Sequence, residues 1–385
     1  MRATHLRLLL VLPAVAALVA GVLSGLARLG VAVPGFAVQL AGQHGALMVG
    51  GFFGTLIGLE RAVALGRAWP YAAPAMSGLA TLCLLAGLPG PAPLLMCLAA
   101  LCMFAACASV WLRQRVAHHL ALMLAALAWL LGNLVWALQG HVLAAVALWA
   151  AFLILTIAGE RLELSRFVPT PLWARRVFGG IVAVLLLGAA DSVFAAWGLQ
   201  LFAAALLALA LWLLRYDIAR RTVRVAGLTR YMALCLLSGY VWLGIAAVLG
   251  LLGAMAPGHA LRDAALHALL LGFVLAMVFG HAPVILPALT RMGFRWHRGF
   301  YVPLLALHAT LGARVLAGLI ADFSLRQHAA LGNALVIALF FALVLLAVVT
   351  GSRRAGSVSP RVESRNGPRG HTVPTLREEH SCEAM

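Results

Sequence analysis

The sequence predicts an all-α polytopic membrane protein with about twelve transmembrane helices and with its N-terminus and C-terminus in the cytoplasm. The first observation is composition: the 385 residues are 64% hydrophobic and only 10% charged, with a mean hydropathy of +1.02. Soluble domains carry about 25% charged residues. Even a large soluble domain leaves about a quarter of its unfolded-chain surface exposed. A water-soluble fold therefore has too little polar surface to cover this chain.

The second observation is a series of apolar runs, most of them long enough to cross about 30 Å of hydrocarbon. The first run is interpreted as an uncleaved span, because it continues to Ala27. Residues 351–385 are instead rich in Arg, Ser, Gly, Pro and Glu, which predicts a disordered cytoplasmic tail. The single transmembrane domain, residues 1–350, contains runs at 8–28, 36–59, 71–88, 93–112, 118–138, 141–159, 177–192, 196–214, 230–253, 261–288, 300–320 and 328–350.

The third observation is where the positive charges lie. All 28 basic residues are arginines, and all but Arg28, Arg262, Arg314 and Arg326 lie in the N-terminal segment, in alternate loops or in the tail. This alternation follows the positive-inside rule and supports both the number of spans and the cytoplasmic termini. Because the arginines occupy short loops, the net charge of +17 does not indicate a nucleic-acid partner. The predicted partner is the lipid bilayer.

Polar side chains within the spans are few, and each is a candidate functional residue because its burial in lipid is costly. His44 lies in the second span, ahead of the repeat Gly50-x-x-x-Gly54-x-x-x-Gly58. Glycines four residues apart let a second helix or a flat ligand approach closely. Helix packing alone is one interpretation of these glycines, and a bound ligand is the other.

The tenth span carries His267 near its start and His281 further along. Helical geometry places the two on one face, about 21 Å apart. Pro283 and Pro287 follow His281 and are expected to bend the helix near its inner end. For each histidine, a single hydrogen bond to a neighbouring helix is an alternative to a functional role.

The eleventh span contains His308 on its inner half and Arg314 closer to its outer end. An arginine in that position must pair, reach the membrane surface or meet water. It either pairs with Asp322 in the following loop or binds an anionic ligand group such as a haem propionate. Arg326 follows in the same loop, and His328 opens the twelfth span.

A Glu-Arg pair ends two spans, as Glu60-Arg61 in the second and Glu160-Arg161 in the sixth. Two interpretations remain open: an interfacial ion pair at each helix end, or a diverged four-helix repeat whose third copy ends with the tenth span. Asn133 in the fifth span is expected to bond a neighbouring helix. The cysteines show no CxxC spacing, so neither a disulfide framework nor a zinc ribbon is predicted.

The histidines suggest one constellation. His44 and His267, with His328 as a further metal ligand candidate, are all predicted in the outer third of the membrane domain. Neutral imidazole is a good ligand for iron or copper, and helical bundles build cofactor sites from side chains on facing helices. The sequence contains no catalytic carboxylate pair, Ser-His-Asp set or phosphate-binding loop, so no catalytic residue and no reaction are assigned.

The run from Gln43 to Met48, Gln-His-Gly-Ala-Leu-Met, resembles the second helix of haem-copper oxidase subunit I, in which a His-Gly-x-x-Met pattern carries an axial haem ligand. The resemblance implies haem b held by His44 and His267, with Arg314 and Arg326 at its propionates. The NnrS family, haem and copper membrane proteins linked to nitric-oxide metabolism, is similar in length and in its histidine-led second helix.

The sequence departs from the oxidase pattern at the copper and second-haem positions. The oxidase copper ligands belong to helices six and seven, where this chain has only His141, at the outer end of helix six. The oxidase His-x-His on helix ten is reduced to His267, since Ala268 and Leu269 follow. A complete oxygen-reduction site is therefore not expected, although copper stays a candidate cofactor.

The leading hypothesis is a haem-binding protein of the bacterial inner membrane that acts in electron transfer or in the response to nitric oxide or another small gas. The sequence identifies no redox partner. The alternative is a proton-coupled secondary transporter that uses His281, His308 and Glu60, because glycine-rich and proline-broken helices serve alternating access. The third hypothesis, a scaffold without a cofactor, gains if helices two and ten are not neighbours.

Overall fold

The computed structural model describes residues 2–165, 168, 170–290 and 292–357, and every regular element in these ranges is helical. Twelve principal helices follow one another along the chain. They are α1 Arg2–Ala27, α2 Ala46–Leu65, α3 Ala72–Leu85, α4 Ala92–Arg113, α5 Ala117–Gln139, α6 Val142–Leu164, α7 Leu172–Asp191, α8 Trp197–Tyr216, α9 Leu228–Leu251, α10 with segments Arg262–His267, Ala268–Leu275 and Ala276–Thr290, α11 Arg298–Leu319, and α12 Phe323–Ser357.

Eleven of these helices, all except α3, are long and apolar enough to cross a membrane. Each coincides with a predicted span, so the prediction of an all-α polytopic membrane protein is confirmed. Helix α3 has only 14 residues, or about 21 Å of helix. It corresponds to the predicted span 71–88, and a short 3₁₀ turn, Trp69–Tyr71, precedes it.

Although α3 is short, it joins two faces of the bundle. Its start adjoins the end of α2, because Gly58 lies against Pro74. Helix α4, which follows α3, ends on that same face, where Arg113 and Arg61 line one surface pocket. Since α4 is long enough to cross, it must begin on the opposite face, and α3 must lead there. The face that carries Arg61 and Arg113 is called the arginine face below.

Both described ends of the chain lie on the arginine face. Near the start of α1, Arg7 donates a hydrogen bond to the Tyr71 hydroxyl (3.3 Å), just ahead of α3. Near the end of α12, the Ala347 carbonyl accepts one from the Arg295 amide (3.0 Å), in the loop after α10. The positive-inside rule predicts that this face is cytoplasmic.

The glycines of α2 pack against neighbouring helices. A Cβ atom at Gly50 would lie 2.8 Å from the Met96 sulfur, and one at Gly51 would lie 2.6 Å from the Thr81 hydroxyl. A Cβ atom at Gly54 would collide with the Trp129 ring of α5. Of the two interpretations of the glycine repeat, helix packing is therefore the one that the contacts support.

Helices α2 and α10 are both wound as π-helices close to a histidine. The π segments are Ala46–Gly54, which begins two residues after His44, and Ala268–Leu275, which begins directly after His267. A π-helix has i→i+5 hydrogen bonds, and such segments are frequent at functional sites. Further along α10, the helix continues through Pro283 and Pro287.

Two predicted boundaries shift. The second predicted span, 36–59, is not one helix: Gly35–Gln39 and the 3₁₀ turn Ala41–Gln43 precede α2, which then runs to Leu65. Apolar composition alone does not reveal this break, because its residues are as apolar as those of the helix. At the other end, α12 continues to Ser357, so the first residues of the predicted tail are helical. Residues 358–385 of that tail lie outside the described residues.

Candidate functional site

His44 and His267 come together at the starts of α2 and α10. Their ring centroids are 6.3 Å apart, and the ring planes are inclined by 29°. Helices two and ten are therefore neighbours at the two histidines that the sequence singles out. The third hypothesis, the scaffold, loses the condition that would have favoured it.

Hydrogen bonds fix how each imidazole presents itself. Nδ1 of His44 lies 2.7 Å from the Gly21 carbonyl of α1, and Nδ1 of His267 lies 2.8 Å from the Asp263 carbonyl. Because a carbonyl only accepts, Nδ1 carries the hydrogen in each neutral ring and Nε2 keeps its lone pair. Within the described residues neither Nε2 has a hydrogen-bond partner. Metal-ligating histidines typically show this pattern, with the second nitrogen donating to a carbonyl or carboxylate.

A glycine of α1 makes room for the His44 ring. A Cβ atom at Gly25 would lie 2.8 Å from Cε1 and 2.9 Å from Nδ1 of His44. Real Cβ atoms essentially never approach so closely, so only glycine allows α1 to pack against the imidazole in this position. Gly21, one turn earlier, supplies the carbonyl that accepts from Nδ1. Helix α1 thus both orients His44 and leaves space for it.

An ion pair supports His267 from the next turn of α10. Arg314 of α11 binds Asp263 with two hydrogen bonds, Nε to Oδ2 and Nη2 to Oδ1, both 2.8 Å long. The Asp263 carboxylate also lies 3.2 Å from Nδ1 of His267. Paired and bidentate carboxylate–arginine contacts are strong and geometrically specific. Asp263 therefore contacts both Arg314 and His267, whose Nε2 is free.

The expectation that Arg314 pairs with Asp322 is wrong. Arg314 faces α10 inside the bundle and is only 6% exposed, whereas Asp322 accepts a hydrogen bond from the Leu325 amide (2.8 Å) at the start of α12. Sequence reasoning missed Asp263. The signal was its spacing, because a carboxylate four residues before a histidine lies on the same helix face.

A cavity of about 80 Å³ lies beside the two imidazoles. Its polar wall consists of His44, His267, Arg314 and Asn333, and helices α1, α2, α10, α11 and α12 contribute the rest, which is apolar. Nη1 of Arg314 has a single long contact, 3.5 Å to the Asn333 side chain. Arg314 lines the cavity, and its Nη1 can donate a further hydrogen bond there.

The donor pair fits one metal centre held between the two helices. With metal–nitrogen bonds of about 2.0–2.1 Å, two imidazoles on opposite sides of one ion have ring centroids about 6 Å apart. The observed centroid separation of 6.3 Å matches that distance, with the ring planes inclined by 29°. The cavity as it stands has room for an ion and water. A porphyrin requires the flexible Met48 and the aliphatic side chains of the wall to move aside.

Other predicted ligands lie elsewhere. His328 is exposed and bonds through Nδ1 to Ser324 of its own helix (2.8 Å), and the Arg326 guanidinium lies 4.9 Å from the Phe323 ring. Neither residue lines the cavity. Among the described residues, no group of three or more His, Cys, Asp or Glu side chains is placed to hold a metal.

The second set of predicted residues meets at the arginine face. Nη2 of Arg61 lies 2.6 Å from Glu60 and 2.8 Å from Glu160, so one arginine bridges both copies of the Glu-Arg motif. Arg161, 5% exposed, donates from Nη2 to Nε2 of His281 (2.8 Å). The ends of α2 and α6 and the inner part of α10 thus share one cluster of charges. Of the ion pairs expected at the two helix ends, the described residues form Glu60–Arg61, whereas Glu160 pairs with Arg61 of the other motif and Arg161 bonds His281. The four-helix repeat stays a prediction.

His281 differs from the outer histidines in its bonding. Its Nδ1 donates to the Met277 carbonyl (2.7 Å), while Nε2 accepts from Arg161. Both ring nitrogens are therefore used. In α11, His308 accepts from Trp242 through Nδ1 (2.9 Å), and its buried Nε2 has no partner in the described residues. Asn133 bonds the neighbouring α4 through the Met96 carbonyl (2.9 Å), as expected.

Asp217, in the loop after α8, was not predicted and adds a carboxylate near this cluster. Its side chain is 3% exposed and accepts from the Ala219 amide (2.6 Å). Burial raises the pKa of the Asp217 carboxyl, and the Ala219 amide and the charge of Arg161 oppose that shift. Oδ2 of Asp217 and the hydroxyl of Tyr240 are buried and interact with each other, and neither has another hydrogen-bond partner among the described residues.

Comparison with known proteins gives one match. No curated protein and no solved structure matches the chain. Residues 7–349 match a family profile described as a domain of unknown function, DUF8744. The match covers all twelve helices and includes both His44 and His267. The chain therefore belongs to the DUF8744 family.

Proposed function

We propose that this protein is a haem-binding membrane protein in which His44 and His267 are the two axial ligands. One observation carries the proposal: two imidazoles on facing helices, 6.3 Å apart, each with Nδ1 bonded to a carbonyl. In both rings Nε2 is left as the free donor atom. His281, by contrast, uses both of its ring nitrogens.

The number of protein donors favours haem over a bare ion. Protein zinc and copper(II) sites usually take three or four donors, whereas the described residues offer two histidines here. A porphyrin supplies four nitrogens of its own, and then two axial histidines are sufficient. The bound haem would supply reversible one-electron chemistry at the iron, as in haem-copper oxidase-like and NnrS-type proteins.

The surrounding residues have separate tasks in this proposal. Gly21 and Gly25 hold and admit the His44 ring, while Asp263 fixes the His267 ring. Arg314 neutralises Asp263, and its Nη1 is the group offered to a haem propionate. Arg326 and His328 do not line the cavity, and the proposal assigns neither of them a role.

Electron transfer is the favoured activity. If His44 and His267 both held the haem, a gas could bind only where one of the two histidines gave way. Both imidazoles are held by second bonds to backbone carbonyls, which opposes such a movement. A role in handling nitric oxide or another small gas therefore requires one ligand to leave. We place the protein in the bacterial inner membrane, with the arginine face toward the cytoplasm.

The test is a reduced-minus-oxidised absorption spectrum of the detergent-purified full chain expressed with ample haem. A sharp b-type band is expected in the wild type, and it should be abolished in His44→Ala and in His267→Ala. His328→Ala, on the exposed face of α12, is the matched control and should keep the band. A featureless spectrum from well-folded wild-type protein would reject the proposal.

A second candidate function, proton-coupled transport, is favoured by the charge cluster of Glu60, Arg61, Glu160, Arg161 and His281. In lipid such a cluster is costly unless it is used. The test is proton flux into vesicles containing the purified protein and a pH-sensitive dye. Transport predicts a flux that Glu60→Gln removes and that His44→Ala leaves intact, and absence of flux rejects it.

A further inference from the structure

A second cavity lies directly beyond the histidine cavity. Its volume is about 140 Å³, and helices α2, α6, α10 and α12 form its walls. Phe53 of α2 lines both cavities and is the one residue that their walls share. We call this second space the glutamate cavity, because Glu160 and His281 lie in its wall at the arginine face.

The glutamate cavity is apolar apart from one end. Phe52, Phe53 and Phe341 contribute aromatic rings, and aliphatic side chains make up most of the rest. The polar residues in the wall are Thr156, Glu160 and His281. The Thr156 hydroxyl donates to the Phe152 carbonyl (2.8 Å), and both nitrogens of His281 are engaged. Glu160 is therefore the group that remains to meet a ligand.

Glu160 is half satisfied. Its Oε1 accepts from Arg61 (2.8 Å), and no hydrogen bond reaches Oε2 within the described residues. The Glu160 side chain is 24% exposed, so this oxygen is open to a hydrogen-bond donor from a ligand or from water. A lipid acyl chain would fill the cavity but offer that oxygen no donor. An occupant with a hydroxyl or protonatable oxygen on a flat ring satisfies both parts of the cavity, because rings pack on phenylalanine.

We infer that the glutamate cavity binds the ring of a lipid-soluble quinone or quinol, with a ring hydroxyl donating a hydrogen bond to Oε2 of Glu160. The half-buried aliphatic residues of the wall, such as Ile157 and Val278, give the isoprenoid tail a path between helices. This inference rests on the proposed function for its meaning, since it names the redox partner of the haem. The binding itself does not require haem.

The position suits such a partner for two reasons. The ring would lie against Phe53, which also lines the histidine cavity. Electrons could therefore pass between the two cavities through packed side chains. Its hydroxyl would contact a carboxylate that is already linked through Arg61 to Glu60 at the arginine face. Quinol oxidation releases protons together with electrons, so a carboxylate at the ring oxygen is the chemistry that the exchange needs.

The test uses the purified full chain and a fluorescent 2-alkyl-4-hydroxyquinoline N-oxide, a quinol analogue whose emission is quenched on binding. Saturable quenching is expected, and a short-chain ubiquinone should compete with it. Glu160→Gln should weaken binding about tenfold, since the ring hydroxyl would then donate to a neutral amide oxygen instead of a carboxylate. Val278→Trp, which fills the cavity from α10, should abolish it.

Glu60→Gln is the matched control. It also removes a partner of Arg61, but Glu60 does not line the cavity, so affinity for the analogue should stay within about twofold. Should Val278→Trp fail to fold, Val278→Phe replaces it and is expected to weaken binding. No saturable quenching, or quenching that Glu160→Gln and both Val278 variants leave unchanged, would overturn the inference. So would a tightly retained phospholipid that ubiquinone does not displace.

The two proposals fail separately. His44→Ala should lose the haem band and still bind the analogue. A wild-type haem spectrum without analogue binding removes the quinone inference and leaves the haem proposal. Analogue binding to a chain that never takes up haem does the opposite.

Discussion

Two histidines of α10 have opposite hydrogen-bonding states. His267 donates through Nδ1 to its own helix and keeps Nε2 free beside a cavity, whereas His281 uses Nδ1 for its own helix and Nε2 for Arg161. Residue type and backbone bond are the same, so only the partner of the second nitrogen distinguishes them. Nε2 of His267 is free to bind a ligand, whereas Nε2 of His281 is bonded to Arg161 in the charge cluster.

The same contrast extends to what surrounds each histidine. Beside His267, charge is confined to the compact pair Asp263–Arg314, and the other imidazole is the nearest polar neighbour across the cavity. Beside His281, two arginines and two glutamates form an extended network. A cofactor site needs free donor atoms in a preorganised setting, and a proton-exchanging site needs connected titratable groups.

The largest effect is expected when each of the two histidines of α10 is replaced in turn by glycine. His267→Gly should lose the haem band completely, and millimolar imidazole should restore it by filling the vacated space next to Asp263. His281→Gly should retain the band, because its ring is not offered to the histidine cavity. The measurement is the reduced spectrum of both variants with and without imidazole. A band that survives in His267→Gly without imidazole would contradict the contrast.

A smaller effect on stability is expected from Asp263→Asn. The change leaves Arg314 charged and buried without its carboxylate, which costs about 3–5 kcal/mol in comparable pairs. The double variant Asp263→Asn, Arg314→Met removes the unpaired charge and should recover most of that loss. Thermal unfolding in detergent measures both. Equal losses in the single and double variants would show that the ion pair is not what holds this end of α10.

Gly25→Ala should perturb His44 without removing it. The added methyl would press on Cε1 at 2.8 Å, and overpacking of this kind costs about 1–3 kcal/mol. We expect weaker haem retention on dilution and a shifted band. Gly42→Ala is the matched control, because nothing lies within 4 Å of a Cβ atom there although His44 is two residues away. Equal behaviour of the two variants would mean that α1 does not position the ring.

The smallest effect concerns the arginine face. Because the pKa of Asp217 is raised on folding, the folded protein holds that proton more tightly than the unfolded chain does. Folding stability should therefore fall as pH rises from the ordinary aspartate pKa through the raised value. Asp217→Asn should flatten the unfolding temperature over that interval. The exposed Asp322→Asn is the control, and a matching change in both variants would contradict the assignment.

Much of the architecture follows from composition. The apolar runs coincide with the helices because a chain in lipid must satisfy its backbone hydrogen bonds within each span. Arginine alternation gave the correct pairing of the two described chain ends on one face. The short α3 and the break before α2 were not foreseen, because hydropathy measures how apolar a segment is and not where its backbone turns.

The candidate site divides in the same way. His44, His267 and Arg314 could be selected from the sequence because ionisable residues are rare in spans. Asp263 was overlooked, and Asp322 was taken as the partner of Arg314 because it is close in sequence. The partner of Arg314 depends on which face of α11 packs against α10. The packing of the two helices sets that orientation, and the sequence of α11 alone does not reveal it.

The sequence by itself therefore determined the membrane-spanning α-helical class, the approximate spans and the short set of polar residues that a lipid environment makes conspicuous. Tertiary structure alone decided that α2 meets α10 at their histidines, that Arg61 bridges Glu60 and Glu160, and that a cavity lies on each side of Phe53. The physical reason is the distance along the chain over which each property is decided. Hydropathy and charge act on each segment independently, whereas a donor pair or a cavity exists only when residues more than two hundred positions apart are packed together.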